Sequence, residues 1–508
     1  MTNIKLLSLR ICDHDANFCY FNGHNVSYVK TERLFREKHH YVELAKWQSV
    51  FEEIFGEKVE NITEVAVIFD EWDVTKSEKI QNFFPAIENY TFFPCSTKVT
   101  RLNHHYAHAL SYWPMTDIPD ICFVLDGYGD LDKSWAVYRH DKQIAQGSCI
   151  FDGSIGIEMV QASKRIGLGK CHEMDYAGKL MGLAAYGKVD NEYLNKLRGL
   201  GIHDIERIFD YYKWAEYKGN NFVAELTKLD HFATVHEYIP DVLVNFFLKY
   251  AKSHERIFFS GGVAQNVIWN TKLKSKFPNL IIPPHSGDDG LSLGGLEFLR
   301  QKYNLKKFTL ENFPFCQKDE SPDDEVTDST IKKTAQLLSE GKIIAWYQGN
   351  GEIGPRALGH RSILMDPSHP NGKNIINGVK HRETYRPFGA SVLLGEAEKY
   401  FDSLPNNPYM LYVGRLKDEY SFPAITHADN TCRIQTVDES NSSFFKLLTE
   451  FKNLTGYSLL LNTSLNLSGL PIAGYVKDAL KLFDDKKVDV LVIGDKIYEN
   501  KVEIKYGY

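Results

Sequence analysis

The spacing of apolar and polar positions changes period several times along this chain, and each change marks an element. Leu6–Cys12 (LLSLRIC) is a nearly unbroken apolar run that meets Asp13-His14-Asp15, the pattern of a buried strand with polar groups at its tip. FCYF and NVSYV then flank Asn22-Gly23, which predicts a hairpin closed by a two-residue turn. The same phrase returns about a hundred residues on: Ile121–Asp126 (ICFVLD) meets Gly127-Tyr128-Gly129-Asp130, and WAVYRHDKQIAQGSCI reads as a second hairpin turning at His140-Asp141. Two more strand-to-loop junctions follow. RIFFSGGVAQNVIWN predicts a strand to Phe259, then Ser260-Gly261-Gly262 and a helix, while IIPPHSGDDGLSLGGLEFL sets Asp288-Asp289 at a helix head. Glycines at such a mouth either let backbone N–H groups approach a phosphate or serve tight packing.

A buried strand, a polar tip and a hairpin, given twice, predict an actin-like (ASKHA) duplicated α/β domain whose halves each offer a hairpin to a nucleotide cleft. The acidic stretch Cys316–Asp328 (CQKDESPDDEVTD) reads as a linker. Beyond it, IKKTAQLLSEG is an amphipathic helix stopped by Gly341, and IIAWYQ is a strand. A second domain is expected from here, the two spanning 1–315 and 325–508. It also carries THADNTCRIQ (Thr426–Gln435) and LLLNTSLNLSGLPI (Leu459–Ile472), a strand opening into a polar loop.

Composition changes this picture little. A chain of 508 residues exceeds what one core organises, and 43% apolar with 25% charged residues is ordinary for a globular protein. No apolar run nears the ~20 residues of a membrane span. The apolar patch near the N-terminus is broken too early, by Asp13 and Asp15, for a signal peptide. Eight scattered Cys without a C-x-x-C fit free thiols in a reducing cytoplasm.

Charge changes it more. The net charge is −7, yet Gly354–Phe388 (GPRALGHRSILMDPSHPNGKNIINGVKHRETYRPF) holds Arg356, Arg361, Lys373, Lys380, Arg382 and Arg386 against Asp366 and Glu383 alone. Basic residues on Gly- and Pro-rich turns suit a pocket for phosphorylated or carboxylated small molecules, the alternative being a solvated basic loop. NHHYAHAL (Asn103–Leu110) sets His104 and His108 four apart, so that on a helix both imidazoles share a face and can share a metal, while His105 points elsewhere. Asp126 at one strand end and Asp289 at the other junction are the carboxylates within reach. Two His with carboxylates suit iron, manganese or zinc; otherwise the pair are surface or capped histidines. His14, between Asp13 and Asp15, is placed for a general base on an acceptor hydroxyl, or is a hydrogen-bonded loop histidine.

The phrases HDANFCYFNG, TERLFREKHH, HHYAHA, VLDGYGD, GKLMGLAAYG, FFSGGVAQN, GDDGLSLGG, GPRALGHRSILMDP, VKHRETYRPFGASVL, THADNTCRIQTV and LLNTSLNLSGLPI occur in this order. In them the chain resembles the O-carbamoyltransferases of the nodulation-factor and tobramycin type. The resemblance implies an actin-like domain followed by a YrdC-like one. The YrdC-like domain would form carbamoyl-adenylate from carbamoyl phosphate and ATP with Mg2+. The actin-like domain, with Fe2+ or another divalent metal, would pass the carbamoyl group to an acceptor hydroxyl. Lys380, Arg386 and Arg356 match positions that hold carbamoyl phosphate and nucleotide phosphates, Lys380 and Arg386 serving catalysis as well. Arg433, Asn462, Ser464 and Asn466, with Arg361 and Arg382 of the basic segment, would complete that pocket. His104, His108, Asp126 and Asp289 correspond to the metal positions, Gly127, Lys179, Gly261, Gly262 and Asn266 to the nucleotide side of the actin-like cleft, and His14 to a catalytic histidine. Two positions depart from the family pattern: His360 replaces the usual Asn of GPRALGNRS, and Ala177 stands where an acid commonly precedes G-K-x-M-G-L-A.

The expected partners are carbamoyl phosphate, ATP and a hydroxyl-bearing acceptor: a sugar, an antibiotic, a glycan or a hydroxymethylated nucleobase. A DNA or nucleotide acceptor is allowed but not indicated, since phosphate contacts normally need a basic stripe. No membrane association is expected, and the chain is read as a cytoplasmic monomer or homodimer. The rival classes are an actin-like kinase or ATPase, and a non-catalytic nucleotide or nucleic-acid binding module.

Overall fold

A computed structural model describes residues 4–69, 84–217, 225–402 and 404–500. The chain divides into two units, one reaching Phe313 but without Arg36–Lys38, the other combining Arg36–Lys38 with the chain from Pro314 onward.

In the first unit, β1 (Leu6–Arg10), β2 (Asn17–Phe21), β3 (Val26–Lys30), β4 (Glu64–Ile68), β5 (Ala86–Glu88) and β6 (Lys98–Leu102) form a sheet ordered β3-β2-β1-β4-β6-β5. The hairpins are antiparallel, whereas β1–β4 and β4–β6 are parallel. Lying between neighbours on both sides, β1 is buried at every position, as its unbroken apolar run requires. The second sheet comprises β7 (Ile121–Gly129), β8 (Lys133–Arg139), β9 (Lys142–Ser148), β10 (Ile257–Ser260) and β11 (Leu280–Ile281), ordered β11-β10-β7-β8-β9. Each sheet therefore has its first strand flanked by a hairpin on one side and parallel strands on the other. This repeated order is the actin-like duplication that the recurring phrase predicts.

One turn differs from expectation by one position: the Asn22 N–H donates to the Asn25 carbonyl (3.2 Å), so the turn residues are Gly23-His24 rather than Asn22-Gly23, and the Asn22 side chain accepts the N–H of His24 (2.9 Å) and Asn25 (2.8 Å). The His140-Asp141 turn between β8 and β9 is as expected.

The Leu291–Lys302 helix crosses the His104–Leu110 helix at very short range. A Cβ on Gly294 would lie 1.8 Å from the Ala107 carbonyl oxygen, so only glycine permits this approach. The crossing brings the loop ahead of the later helix, with Asp288, to the histidines of the earlier one.

The second unit is built on one mixed sheet. Its strands are β12 (Ile344–Tyr347), β13 (Arg361–Met365), β14 (Gly389–Leu393), β15 (Phe401–Asp402), β16 (Tyr412–Leu416), β17 (Thr431–Val437), β18 (Leu459–Ser464), β19 (Val490–Ile493) and β20 (Lys496–Glu499). They run in the order β15-β16-β17-β14-β18-β13-β12-β19-β20. Strand alternation separates two apolar layers: Ile344 and Trp346 pack with the Asp328–Ser339 and Ser442–Thr455 helices, Ala345 and Tyr347 with Gly372–Lys380 and Val476–Asp484. This α/β unit is thus covered on both faces. The segment read as a linker is only partly one. Gln317 bridges to Gly351, and Asp319 is buried against Arg361, so its first residues are tied to the sheet. Among the described residues no helix is long and apolar enough to cross a membrane.

Candidate metal centre and anion pocket

Asn103 starts the first functional helix by accepting the Tyr106 N–H on its side chain (3.0 Å), and Asp130 accepts the His104 N–H (2.7 Å). With its N-terminus fixed, the helix presents His104 and His108 on one face, ring centroids 5.0 Å apart. Both rings are buried. Asp126, near the end of β7, lies 3.5 Å from His104 Nε2 and 2.9 Å from His108 Nε2 through Oδ2. Asp288 Oδ1 lies 3.5 and 3.3 Å from the same nitrogens. One donor atom from each of these four residues falls within 4.8 Å of the others.

The sequence reading placed Asp289 in this set, and the structure places Asp288 there instead. The pair lies in a 3-10 turn (Asp288–Gly290), where successive side chains diverge by roughly 120°. Asp289 faces Lys30 Nζ at 4.0 Å, and burial pushes its carboxyl up to about 6. His105 points away from the set, as expected, and burial holds it neutral, lowered to about 3.

Charge in the cluster favours a cation. Burial opposes ionisation of Asp126 and Asp288, yet hydrogen bonds and charge from His104 and His108 hold both well below the usual carboxylate range. His108 is raised because the bonds to Asp126 and Asp288 outweigh burial. Its Nδ1 has no hydrogen-bond partner among the described residues. Two imidazoles and two ionised carboxylates on converging elements fit a divalent metal of the iron, manganese or zinc kind.

His14 adjoins this cluster. Its Nδ1 is 2.9 Å from Asp15, and its Nε2 is 3.3 Å from Asp13 and 3.9 Å from Asp288. Burial lowers its basicity, but the Asp15 bond and the charges of Asp288 and Asp15 raise it to about 9. Such a raised basicity favours the imidazolium, which donates hydrogen bonds, over the neutral ring that a general base requires.

Sequence reasoning missed the neighbours of Asp15. Lys30 Nζ is 2.8 Å from Asp15 and 3.3 Å from Glu32, and His39 Nδ1 is 3.1 Å from Asp15. A lysine closing the buried run of β3 was the available signal, as was Arg10 at the end of the apolar β1. Gly127 and Gly262 lie beside Asp126: the Gly127 N–H donates to Asp126 Oδ1 (2.6 Å), and a Cβ on Gly262 would stand 3.1 Å from that atom. Gly261 has φ +93°, and its N–H donates to the Ser286 carbonyl. Asn266 is committed internally: it caps the Val267–Lys276 helix and meets His236 Nε2 at 3.1 Å. Lys179 is half-buried on the Glu173–Leu183 helix.

In the second unit the basic residues separate into two kinds. Arg361 is wholly buried, contradicting its reading as a ligand-binding residue. Its guanidinium bonds Asp319 (3.1 Å) and the carbonyls of Gln348, Gly349 and Glu320, and stacks 3.6 Å over Tyr347. An apolar strand position that must be filled by Arg is filled with internal partners. Asn462 is likewise interior, donating to Ser391 Oγ (2.9 Å) and the Ala357 carbonyl (3.2 Å) so that it anchors the GPRALGHR loop.

The remaining cations gather against one another. Lys380, at the end of its helix, donates to the Ser464 carbonyl (2.5 Å), Ser464 Oγ (3.1 Å) and Asn466 Oδ1 (2.7 Å). Arg382 is braced by Asn377 (2.8 Å) and lies 4.2 Å over Phe388. Burial and then Arg382 and Arg386 drive Lys380 well below its ordinary value, and burial with Arg356, Arg382 and Arg386 does the same to Arg433. Arg356 is lowered to about 10 by burial and by Arg386. The Nε atoms of Arg356 and Arg433 are buried without hydrogen-bond partners among the described residues. Glu383 lies 3.7 Å from Arg386. Such mutual repulsion is relieved by a bound polyanion. His360, the departure from the family pattern, clamps the loop. It stacks on Phe315 at 3.6 Å and bonds the Asn350 carbonyl (2.8 Å), while Glu352 accepts the N–H groups of Leu358, His360 and Arg361.

Two family models match: carbamoyltransferase N-terminus over residues 95–296 and carbamoyltransferase C-terminus over 335–500. An uncharacterised protein of Methanocaldococcus jannaschii is 31% identical over 461 residues, covering 80% of this chain and 74% of that protein. The nodulation protein NolO of Bradyrhizobium diazoefficiens is 30% identical, covering 77% and 78%. A 3'-hydroxymethylcephem-O-carbamoyltransferase of Streptomyces clavuligerus is 29% identical, covering 63% and 64%.

Proposed function

The chain belongs to the carbamoyltransferase family, and from that premise we propose how its two units divide an O-carbamoyl transfer. It is a transferase that moves a carbamoyl group to an acceptor hydroxyl. The second unit makes the activated group. Lys380, Arg356, Arg382, Arg386 and Arg433 hold carbamoyl phosphate and ATP with Mg2+; water takes the phosphoryl group of carbamoyl phosphate, releasing inorganic phosphate, and the freed carbamate oxygen bonds to the α-phosphorus as pyrophosphate leaves, giving carbamoyl-adenylate. The cations offset the charge that builds at the α-phosphorus and on the departing pyrophosphate. The observation that carries this reading is the gathering of these cations against one another, burial and mutual charge lowering Lys380 and Arg433 alike. Enclosure also spares a mixed anhydride from water.

The first unit spends the activated group. Gly127, Gly261 and Gly262 receive the nucleotide portion, and Lys179 adds charge there. His104, His108, Asp126 and Asp288 hold a divalent metal, iron by preference, which would polarise the carbamoyl oxygen or lower the pKa of the acceptor hydroxyl. His14 as an imidazolium orients the carbamoyl group by donating a hydrogen bond. Held neutral, it would accept the acceptor's proton. The acceptor oxygen bonds to the carbamoyl carbon as the bond to the AMP oxygen breaks, leaving a carbamate ester and AMP.

The acceptor is a small hydroxylated molecule or glycan; the net charge of −7 disfavours a nucleic-acid polymer. The protein works in the cytoplasm as a monomer or homodimer. Screening a library of hydroxyl compounds by mass spectrometry, with ATP, carbamoyl phosphate, Mg2+ and Fe2+ supplied, should find a product heavier by one carbamoyl group. That product should require both ATP and carbamoyl phosphate. Phosphorylated product with ADP would make the chain a kinase instead.

A further inference from the structure

Arg10 is fully buried although it ends an apolar strand, and it lies beside the candidate metal cluster. Its Nη2 donates to Asp288 Oδ2 at 3.2 Å and lies 3.6 Å from Asp13 Oδ2, while Nη1 donates to the Ile11 carbonyl at 3.0 Å. The two oxygens of Asp288 are thereby divided: Oδ1 faces His104 and His108, and Oδ2 faces Arg10. The rest of Asp288 is fixed as well, since Asn17 Nδ2 donates to its carbonyl at 2.9 Å.

We propose that Arg10 is a positioning residue that restricts Asp288 to a single metal-ligating oxygen and offsets one of the two carboxylate charges in the cluster. This rests on the reading of His104, His108, Asp126 and Asp288 as a metal centre. A carboxylate whose second oxygen is held by a guanidinium N–H cannot chelate without breaking that bond. A buried cation beside the site also repels a divalent ion, so the site binds metal less tightly than its ligands alone would allow. Two consequences follow for the ion: fewer protein oxygens around it, leaving room for a reacting oxygen, and less negative charge quenching its pull on that oxygen.

Cobalt(II) provides a test that does not depend on turnover, because its visible bands are strong at low coordination number and weak near six. Metal-free protein, Arg10→Gln and Arg10→Lys would be titrated with cobalt. The wild type should bind with intense bands. Arg10→Gln should bind about tenfold tighter, through loss of the opposing charge, with weakened bands as Asp288 chelates. Arg10→Lys should restore both affinity and spectrum to near wild type. If Arg10→Gln does not fold, Arg10→Met is read in the same way. Unchanged spectrum and affinity in the uncharged variant, or weaker binding with an unchanged spectrum, would overturn the role of Arg10 while leaving the metal centre standing. A wild type that takes up no cobalt would remove the metal centre, and this inference with it.

Discussion

At the residue scale the two candidate sites work by opposite electrostatics. Buried carboxylates stay ionised because imidazoles face them, and buried cations stay crowded because a polyanion is expected among them. Removing a residue from either should stop a different half-reaction. Lys380→Met should lower carbamoyl-phosphate-dependent pyrophosphate release by about 10²–10³-fold, with divalent-metal binding unchanged, as a pyrophosphate-specific assay and a metal titration would show. His108→Ala should abolish stoichiometric metal binding and carbamate product but leave pyrophosphate release. A fall in both activities together would mean that the sites are not separable. His14 contributes through its protonation. Its folded value of about 9 exceeds the ordinary 6.5, so its stabilisation is complete below pH 6.5 and is lost as pH rises through 9. Asp126 and Asp288 act in reverse, stabilising above the usual carboxylate range and losing this as pH falls toward their depressed values. The melting temperature of metal-free protein should therefore fall between pH 6.5 and 9, and His14→Asn should flatten that slope.

At the element scale, the metal candidates meet because two helices touch at Gly294. A methyl group there must push away the Ala107 carbonyl, and with it the helix of His104 and His108, from the turn that bears Asp288. Gly294→Ala should cost about 1–3 kcal/mol in denaturant unfolding and weaken metal binding although it alters no ligand. Normal metal affinity in a destabilised variant would deny the helix contact this role. The helix bearing His104 and His108, both β-hairpins and the strands around them were legible in the sequence, because buried strands and i,i+4 faces leave periodic traces. The choice between Asp288 and Asp289 was not, since a 3-10 turn reverses neighbouring side chains without changing composition. Arg361 and Asn462 misled for a related reason. Charge count cannot distinguish a cation lining a pocket from one pinned to Asp319 and three carbonyls inside the sheet. Arg10 and Lys30, charged residues at the ends of apolar strands, were the signals left unread.

At the scale of the whole molecule, the order of motifs made the family and its two α/β units recognisable, while the acceptor lies outside what the motifs specify. If the cations of the second unit await a polyanion, ligand binding must also stabilise the protein. ATP or pyrophosphate at 100-fold its Kd should add about 2.7 kcal/mol to folding, seen as a raised melting temperature that Arg433→Met diminishes. The central claim is the making of carbamoyl-adenylate by this chain, and the most direct measurement needs no acceptor. Protein, ATP and Mg2+ are mixed with and without carbamoyl phosphate, and pyrophosphate and adenine nucleotides are quantified. Pyrophosphate that appears only with carbamoyl phosphate, with no ADP, is the predicted result. ADP formation, or no carbamoyl-phosphate-dependent pyrophosphate from folded protein, would contradict it.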